Sequence, residues 1–295
     1  MLGEFRELIR YRELLLTLII RDIKVRYKNS VGGFLWSLMN PLFQVAAMTF
    51  AFRRIMNVDV PNYSAYLLCA FLPWTFFQMS VLDSAQSVLL HYALVKKTYF
   101  PREILPISVV LSNLVHFILA LVIYFFYLVI LQAPVALHAH APSALTYISI
   151  LWSPIHKSWL LLPVIVVIQF FLNLGVAFFV SCLNVFYEDV KYLVTVLLNF
   201  LLFTLPIFYL IERVQLASIP AWFRPFLLKL YFVNPLSYLI TAYRKILLPP
   251  VNTATVHNIP LSYGYLGLAA LTSMLICLAG YAFFNSRKWS FAERM

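Results

Sequence analysis

Asp83 is the only acidic residue well inside an apolar run. A carboxylate there is costly to turn toward lipid, which makes it a candidate for function or, near a helix end, an anchor for a helix bundle. Polar and small side chains recur at helical spacing as Gln169, Asn173, Ala177, Ser181 and Asn184. They do so again as Ser108, Ser112, His116, Ala120 and Tyr124, and as Ser37, Asn40 and Gln44. In hydrocarbon such stripes turn inward, either to hydrogen-bond neighbouring helices or to line a hydrated path. Trp36, Phe43 and Phe50 repeat along one face, where aromatic rings can stack on sugars or meet lipid. The candidates for a translocation path are Trp36, Ser37, Asn40, Phe43, Gln44, Asp83, Gln169, Asn173 and Ser181.

Covalent chemistry finds little to work with. No glycine is followed by lysine, so the GxxxxGK[ST] loop that cradles nucleotide phosphates is absent, and ATP, if it acts, must bind another chain. HExxH and GxSxG are also missing, and the scarce carboxylates form no paired signature. His138 and His140 stand in a proline-containing stretch without carboxylate or thiol neighbours, which reads as a loop rather than a metal site. Cys69, Cys182 and Cys277 fall in separate apolar runs and read as packing residues. No catalytic residue, metal or cofactor is assigned to this chain.

The elements that must position these residues belong to a bilayer. Hydrophobic residues make up 63% of the chain and charged residues 11%, against roughly 25% charged in soluble domains. The net charge of +11 sits in short clusters between apolar runs, the pattern of membrane-flanking charge rather than of a nucleic-acid surface. Apolar windows near the ~20 residues that a spanning helix needs place six spans. These run from Gly33 to Phe52, Tyr63 to Leu90, Ile107 to Leu131, Leu160 to Asn184, Tyr192 to Ile211 and Leu261 to Phe284.

Ahead of them, Phe5, Leu8, Ile9, Leu15, Leu16, Ile19 and Ile23 alternate with charges as an amphipathic surface helix, ending in a Gly32-Gly33 elbow. Residues 221–248 are broken by Arg224-Pro225, Lys229 and Asn234-Pro235 into pieces too short to span, which predicts two re-entrant helices. The expectation is one all-α integral membrane domain over 1–295. Its parts are an interface helix (1–31), five spans (33–211), re-entrant helices (221–248), a sixth span (261–284) and a tail (285–295). Lysine and arginine placement puts both termini in the cytoplasm; Arg53, Arg54 and the basic residues from Arg213 to Lys245 are exceptions to that rule.

Four segments carry a family resemblance: RDIKVRYKNSVGGFLWSLMNPLFQ, VKKTYFPREILPIS, NVFYEDVKYL and NPLSYLITAYRKIL. In order and spacing the chain resembles the membrane subunits of type-2 ABC exporters of O-antigen, capsule or teichoic-acid polysaccharides. The resemblance implies a homodimer with two ATPase subunits that bind ATP and Mg, a lipid-linked glycan substrate, and the bacterial cytoplasmic membrane. It makes Arg21, Asp22, Lys24, Arg26 and Tyr27 candidates for an interface helix that couples to the ATPase. Lys97, Phe100, Pro101 and Arg102 follow the second span, and Tyr187, Glu188 and Asp189 form a coupling turn after the fourth. A drug or lipid exporter of the same type, an ion-coupled transporter and a membrane-embedded glycan-modifying enzyme are the alternatives.

Overall fold

The computed structural model describes residues 7, 10–27, 34–56, 60, 62–138, 157–216, 220, 222–250 and 258–291. Gly32, Gly33 and His140 lie outside them, as do the side chains of Tyr27, Trp36, Ser37 and His138. Among the described residues the regular structure is helical: α1 (Arg12–Tyr27), α2 (Phe34–Thr49), α3 (Tyr63–Leu90), α4 (Tyr92–Lys97), α5 (Ile104–His138), α6 (Leu162–Phe186), α7 (Val190–Thr204), α8 (Arg224–Val233), α9 (Pro235–Leu247) and α10 (Tyr263–Arg287).

Four helical stretches are long and apolar enough to cross a membrane: Tyr63–Leu90, Ile104–Leu131, Ser158–Phe186 and Tyr263–Ser290. They correspond to the second, third, fourth and sixth expected spans. The other two expected spans take shorter forms. α2 has 16 residues and continues as a π-helical turn, Phe50–Ile55. α7 has 15 residues, roughly 22 Å of helix. It stops at Thr204 rather than Ile211 because Pro206 offers no N–H and forces Leu205 into the extended region. α5 departs the other way and runs through Pro134 to His138, where the sequence suggests a loop.

α3 is the hub, buried along most of its length and set against α2, α5, α6 and α9. α6 and α10 form the most extensive helix pair. Their backbones touch at Gly175 and Gly280, on a face of α10 built from Ala269, Ser273, Cys277 and Gly280. Small residues at this spacing let helices approach closely where no hydrophobic force drives them together. One apolar core fills the α3, α9 and α7 end of the bundle. A second, around Leu18, Phe100, Phe178, Phe284 and Phe291, closes the end where α1 lies.

α8 and α9 are 10 and 13 residues long, roughly 15 and 20 Å. Asn234 separates them, and its Oδ1 accepts from the Leu236 and Ser237 amides at 3.1 and 3.3 Å as the cap of α9. α1 turns Leu14, Leu15, Leu18, Ile19, Asp22 and Ile23 toward the bundle. The expected apolar face is rotated in part: Leu16 belongs to the predicted set, yet it stands exposed with Ile20.

Candidate functional site

The residues with chemistry gather where α1 crosses the ends of α3 and α5. Arg26 reaches from the last turn of α1 and donates to Asp83 Oδ2 at 2.8 Å and to Asn113 Oδ1 at 2.9 Å. Asn113 Nδ2 closes the triangle by donating to the same Asp83 oxygen at 3.1 Å. The Arg26–Asp83 pair is about a third exposed, with side-chain exposures of 32% and 37%, so as an ion pair it is worth about 1 kcal/mol or less. Its consequence is geometric: a planar guanidinium with several donors fixes the end of α1 against two bundle helices.

Five residues earlier Arg21 pairs with Asp22 at 2.7 Å and contacts the His91 ring, whose Nδ1 lies 2.6 Å from the Ser87 carbonyl. These residues border an open cleft of about 820 Å³ between α1, α3, α5 and α7. Gln86, Ser112, Thr195, Lys191 and Tyr192 also face it. Such a wall offers many hydrogen-bond donors and acceptors and one aromatic face, the chemistry that suits hydroxyl-rich ligands.

The turn joining α6 to α7 leaves Tyr187, Glu188 and Asp189 exposed. Asn184 Oδ1 accepts from the Lys191 amide at 3.1 Å and braces the turn from beneath. Between α4 and α5, Lys97 is exposed while Phe100 is buried. Pro101 and Arg102 are half-buried. Arg102 donates to the Lys288 carbonyl, and partial burial pulls its guanidinium below its ordinary pKa. Its neighbour Glu103 is buried and pairs with Lys288 Nζ at 2.6 Å, while the Tyr11 hydroxyl donates to the Tyr99 carbonyl at 3.3 Å. α1, the segment that follows the second expected span and the end of α10 are thereby joined.

The path candidates separate into three groups. Asp83 belongs with Arg26. Gln169, Asn173 and Ser181 are fully buried within the chain: Gln169 Nε2 donates to the Pro73 carbonyl at 2.7 Å, Asn173 Nδ2 to Ser80 Oγ at 3.4 Å, and Ser181 Oγ to the Phe178 carbonyl at 3.2 Å. Of this buried group, Gln169 and Asn173 join α6 to α3. Asn40, Phe43 and Gln44 are exposed on α2, with Gln44 Nε2 donating to Asn40 Oδ1 at 3.1 Å. Trp36 and Ser37 share that helix, with side chains outside the described set.

Sequence reasoning missed the opposite end of the bundle. Arg244 of α9 is 4% exposed and donates to the carbonyls of Tyr66, Pro206, Ile207 and Tyr209, with its guanidinium 3.7 Å from the Tyr66 ring centre. It meets three carbonyls of the loop that follows α7 and one of α3, backbone acceptors that burial would otherwise leave unpaired. Lys245 pairs with buried Glu212 and with Asn258. Two of the basic exceptions to the charge rule are thus internal partners. The available signal was an arginine inside a short apolar helix.

Residues 13–248 match the family model described as ABC-2 type transporter. The chain is 29% identical over 281 residues to an O-antigen export system permease protein RfbA of Klebsiella pneumoniae, covering 95% of this chain and 94% of that protein. With the RfbA permease of Myxococcus xanthus it shares 31% identity over 288 residues, covering 98% and 97% of the two chains. A family match over most of the chain, together with full-length relatives and helices apolar enough to span a bilayer, makes this protein a member of the ABC-2 type transporter family.

Proposed function

We propose that the chain is the membrane subunit of an ATP-driven exporter that moves a lipid-linked, O-antigen-like polysaccharide across the bacterial inner membrane. In this reading it forms a homodimer with two ATPase subunits. ATP and Mg reside in those partners, and the chain itself carries neither catalytic residue nor cofactor. It crosses the bilayer six times, with α2 and its π-helical extension as the first span and α7 as a short fifth. α8 and α9 re-enter from the outer side, and both termini face the cytoplasm. The relatives' printed function and the polar wall of the cleft favour a glycan over a drug or lipid.

The observation that carries the reading is the Arg26–Asp83–Asn113 junction. A surface helix pushed by an ATPase moves the spans only through contacts of this kind, which hold two elements in one of two arrangements. The exposed Glu188 and Asp189 supply a second contact, with charge for a soluble partner. Asn40, Phe43 and Gln44, with Trp36 and Ser37 on the same helix, line the path between the two copies, while Gln169, Asn173 and Ser181 hold its wall rigid.

Arg26→Gln tests this assignment. The pair contributes little to stability, so the variant should fold, reach the membrane and retain its ATPase partner, while export falls about tenfold or more. Undiminished export would remove the junction from the coupling route. Reversing both charges, Glu188→Lys with Asp189→Lys, should leave ATP hydrolysis running without glycan export, and tight coupling in that variant would remove the turn.

A further inference from the structure

Arg53 and Arg54 are among the exceptions to the charge rule that neither the coupling site nor the buried Arg244 cluster absorbs. They sit past α2, on the π-helical turn Phe50–Ile55. Both are exposed, and among the described residues neither takes a hydrogen-bond or ion-pair partner. Both border a trough of about 780 Å³ between this segment, α3 and α5. Its walls are mainly apolar, with Leu42, Val45, Ala46 and Phe50 on one side and Leu68 on the other, and among the described residues no carboxylate lines it. Across from the arginines, the Tyr127 hydroxyl donates to Ser64 Oγ at 2.7 Å.

We propose that this trough binds one anionic phospholipid, with the phosphate held by Arg53 and Arg54 and an acyl chain lying along α2 against Leu68. Guanidinium forks match phosphate oxygens and bind them by charge-assisted hydrogen bonds. A π-helical turn breaks the regular ladder, a feature that recurs at functional sites, and here it brings two consecutive arginines onto one cavity wall. The apolar trough gives a lipid chain a surface that a small polar anion would not use. A zwitterionic lipid lacks the net charge that the two unpaired cations complement. The site needs neither the ATPase nor the glycan, so it stands apart from the export reading. It also accounts for two basic residues at the end of α2 opposite the basic N-terminal helix.

Native mass spectrometry of the delipidated full-length protein in mild detergent tests the site, by titration with phosphatidylglycerol or with phosphatidylcholine of identical chains. The wild type is expected to prefer phosphatidylglycerol. At about 1 kcal/mol per basic residue near an anionic headgroup, Arg53→Gln with Arg54→Gln should weaken phosphatidylglycerol binding roughly 30-fold. The same variant should leave phosphatidylcholine unchanged. Arg53→Lys with Arg54→Lys should keep most of the preference. Both side chains are exposed, so these variants fold. Equal affinity of the wild type for the two lipids, or an undiminished preference in the glutamine variant, overturns the proposal. So does a polyprenyl diphosphate that binds through Arg53 and Arg54 when phosphatidylglycerol shows no preference, an outcome that assigns the trough to an isoprenoid carrier.

Discussion

Gly280→Val is expected to abolish accumulation of folded protein in the membrane. A Cβ at position 280 would run into the Gly175 carbonyl, and a Cβ at 175 would lie 2.6 Å from the Cys277 nitrogen and the Ile276 carbonyl carbon. The obstructing atoms are backbone, so no side chain can swing aside, and α6 must separate from α10. Overfilling a tight contact costs about 1–3 kcal/mol where side chains can adjust, and a backbone obstacle puts this case at or above the upper end. The loss also spreads, because α10 carries Phe284 and leads to Lys288, which pairs with Glu103 across the second core. Gly175→Val should behave in the same way. Fluorescence-detected size-exclusion chromatography of solubilised membranes reads the effect. A monodisperse peak at wild-type height for either variant would contradict the close approach. Gly267 has nothing within 4 Å of an added Cβ, so Gly267→Val is the matched control and should elute as wild type.

Arg244→Met should lower the melting temperature of the purified protein more than any single surface-charge removal. The substitution preserves an apolar stem while stripping the donors from the carbonyls of Tyr66, Pro206, Ile207 and Tyr209. A buried acceptor left without its donor costs about 1–3 kcal/mol. Several served by one side chain put the loss at about 3 kcal/mol or more, with the stacking on Tyr66 lost as well. Arg244→Lys keeps the charge but offers a point ammonium in place of a planar fork, so it should recover only part of the loss. Because Arg244 ties α9 to the end of α7, protease sensitivity of the segment from Leu205 to Leu210 should rise in the methionine variant. A melting temperature unchanged in Arg244→Met would remove the residue from its role as the brace of that end.

The helices were legible where composition alone decides them. Tyr63 to Leu90 reads as a single apolar run and folds as α3 with those bounds. The early end of α7 follows from Pro206, a local signal outweighed in the sequence by the apolar residues that continue to Ile211. Pro134 misleads the other way, since α5 passes through it. Inward orientation of the Gln169, Asn173 and Ser181 stripe was readable from spacing, but its partners were not. Those two amides and a hydroxyl meet backbone and Ser80 inside the chain's own bundle. Asp83 stood out by its cost in lipid, yet its partner is 57 positions away on α1, a pairing that only the crossing of α1 over α3 creates. Glu103 with Lys288, and Gly175 with Gly280, lie still farther apart in sequence, and their contact is a property of assembled helices.

The claim that this chain carries a glycan for a separate ATPase is tested most directly in inside-out membrane vesicles. These would contain the chain, its co-expressed ATPase and a lipid-linked polysaccharide presented on the exposed face. ATP addition is expected to move the glycan into the vesicle lumen, where it becomes protected from glycosidase. Protection should vanish when the ATPase is omitted or unable to hydrolyse ATP, and should fall about tenfold or more with Arg26→Gln. Glycan protection that proceeds equally without the ATPase would contradict the account.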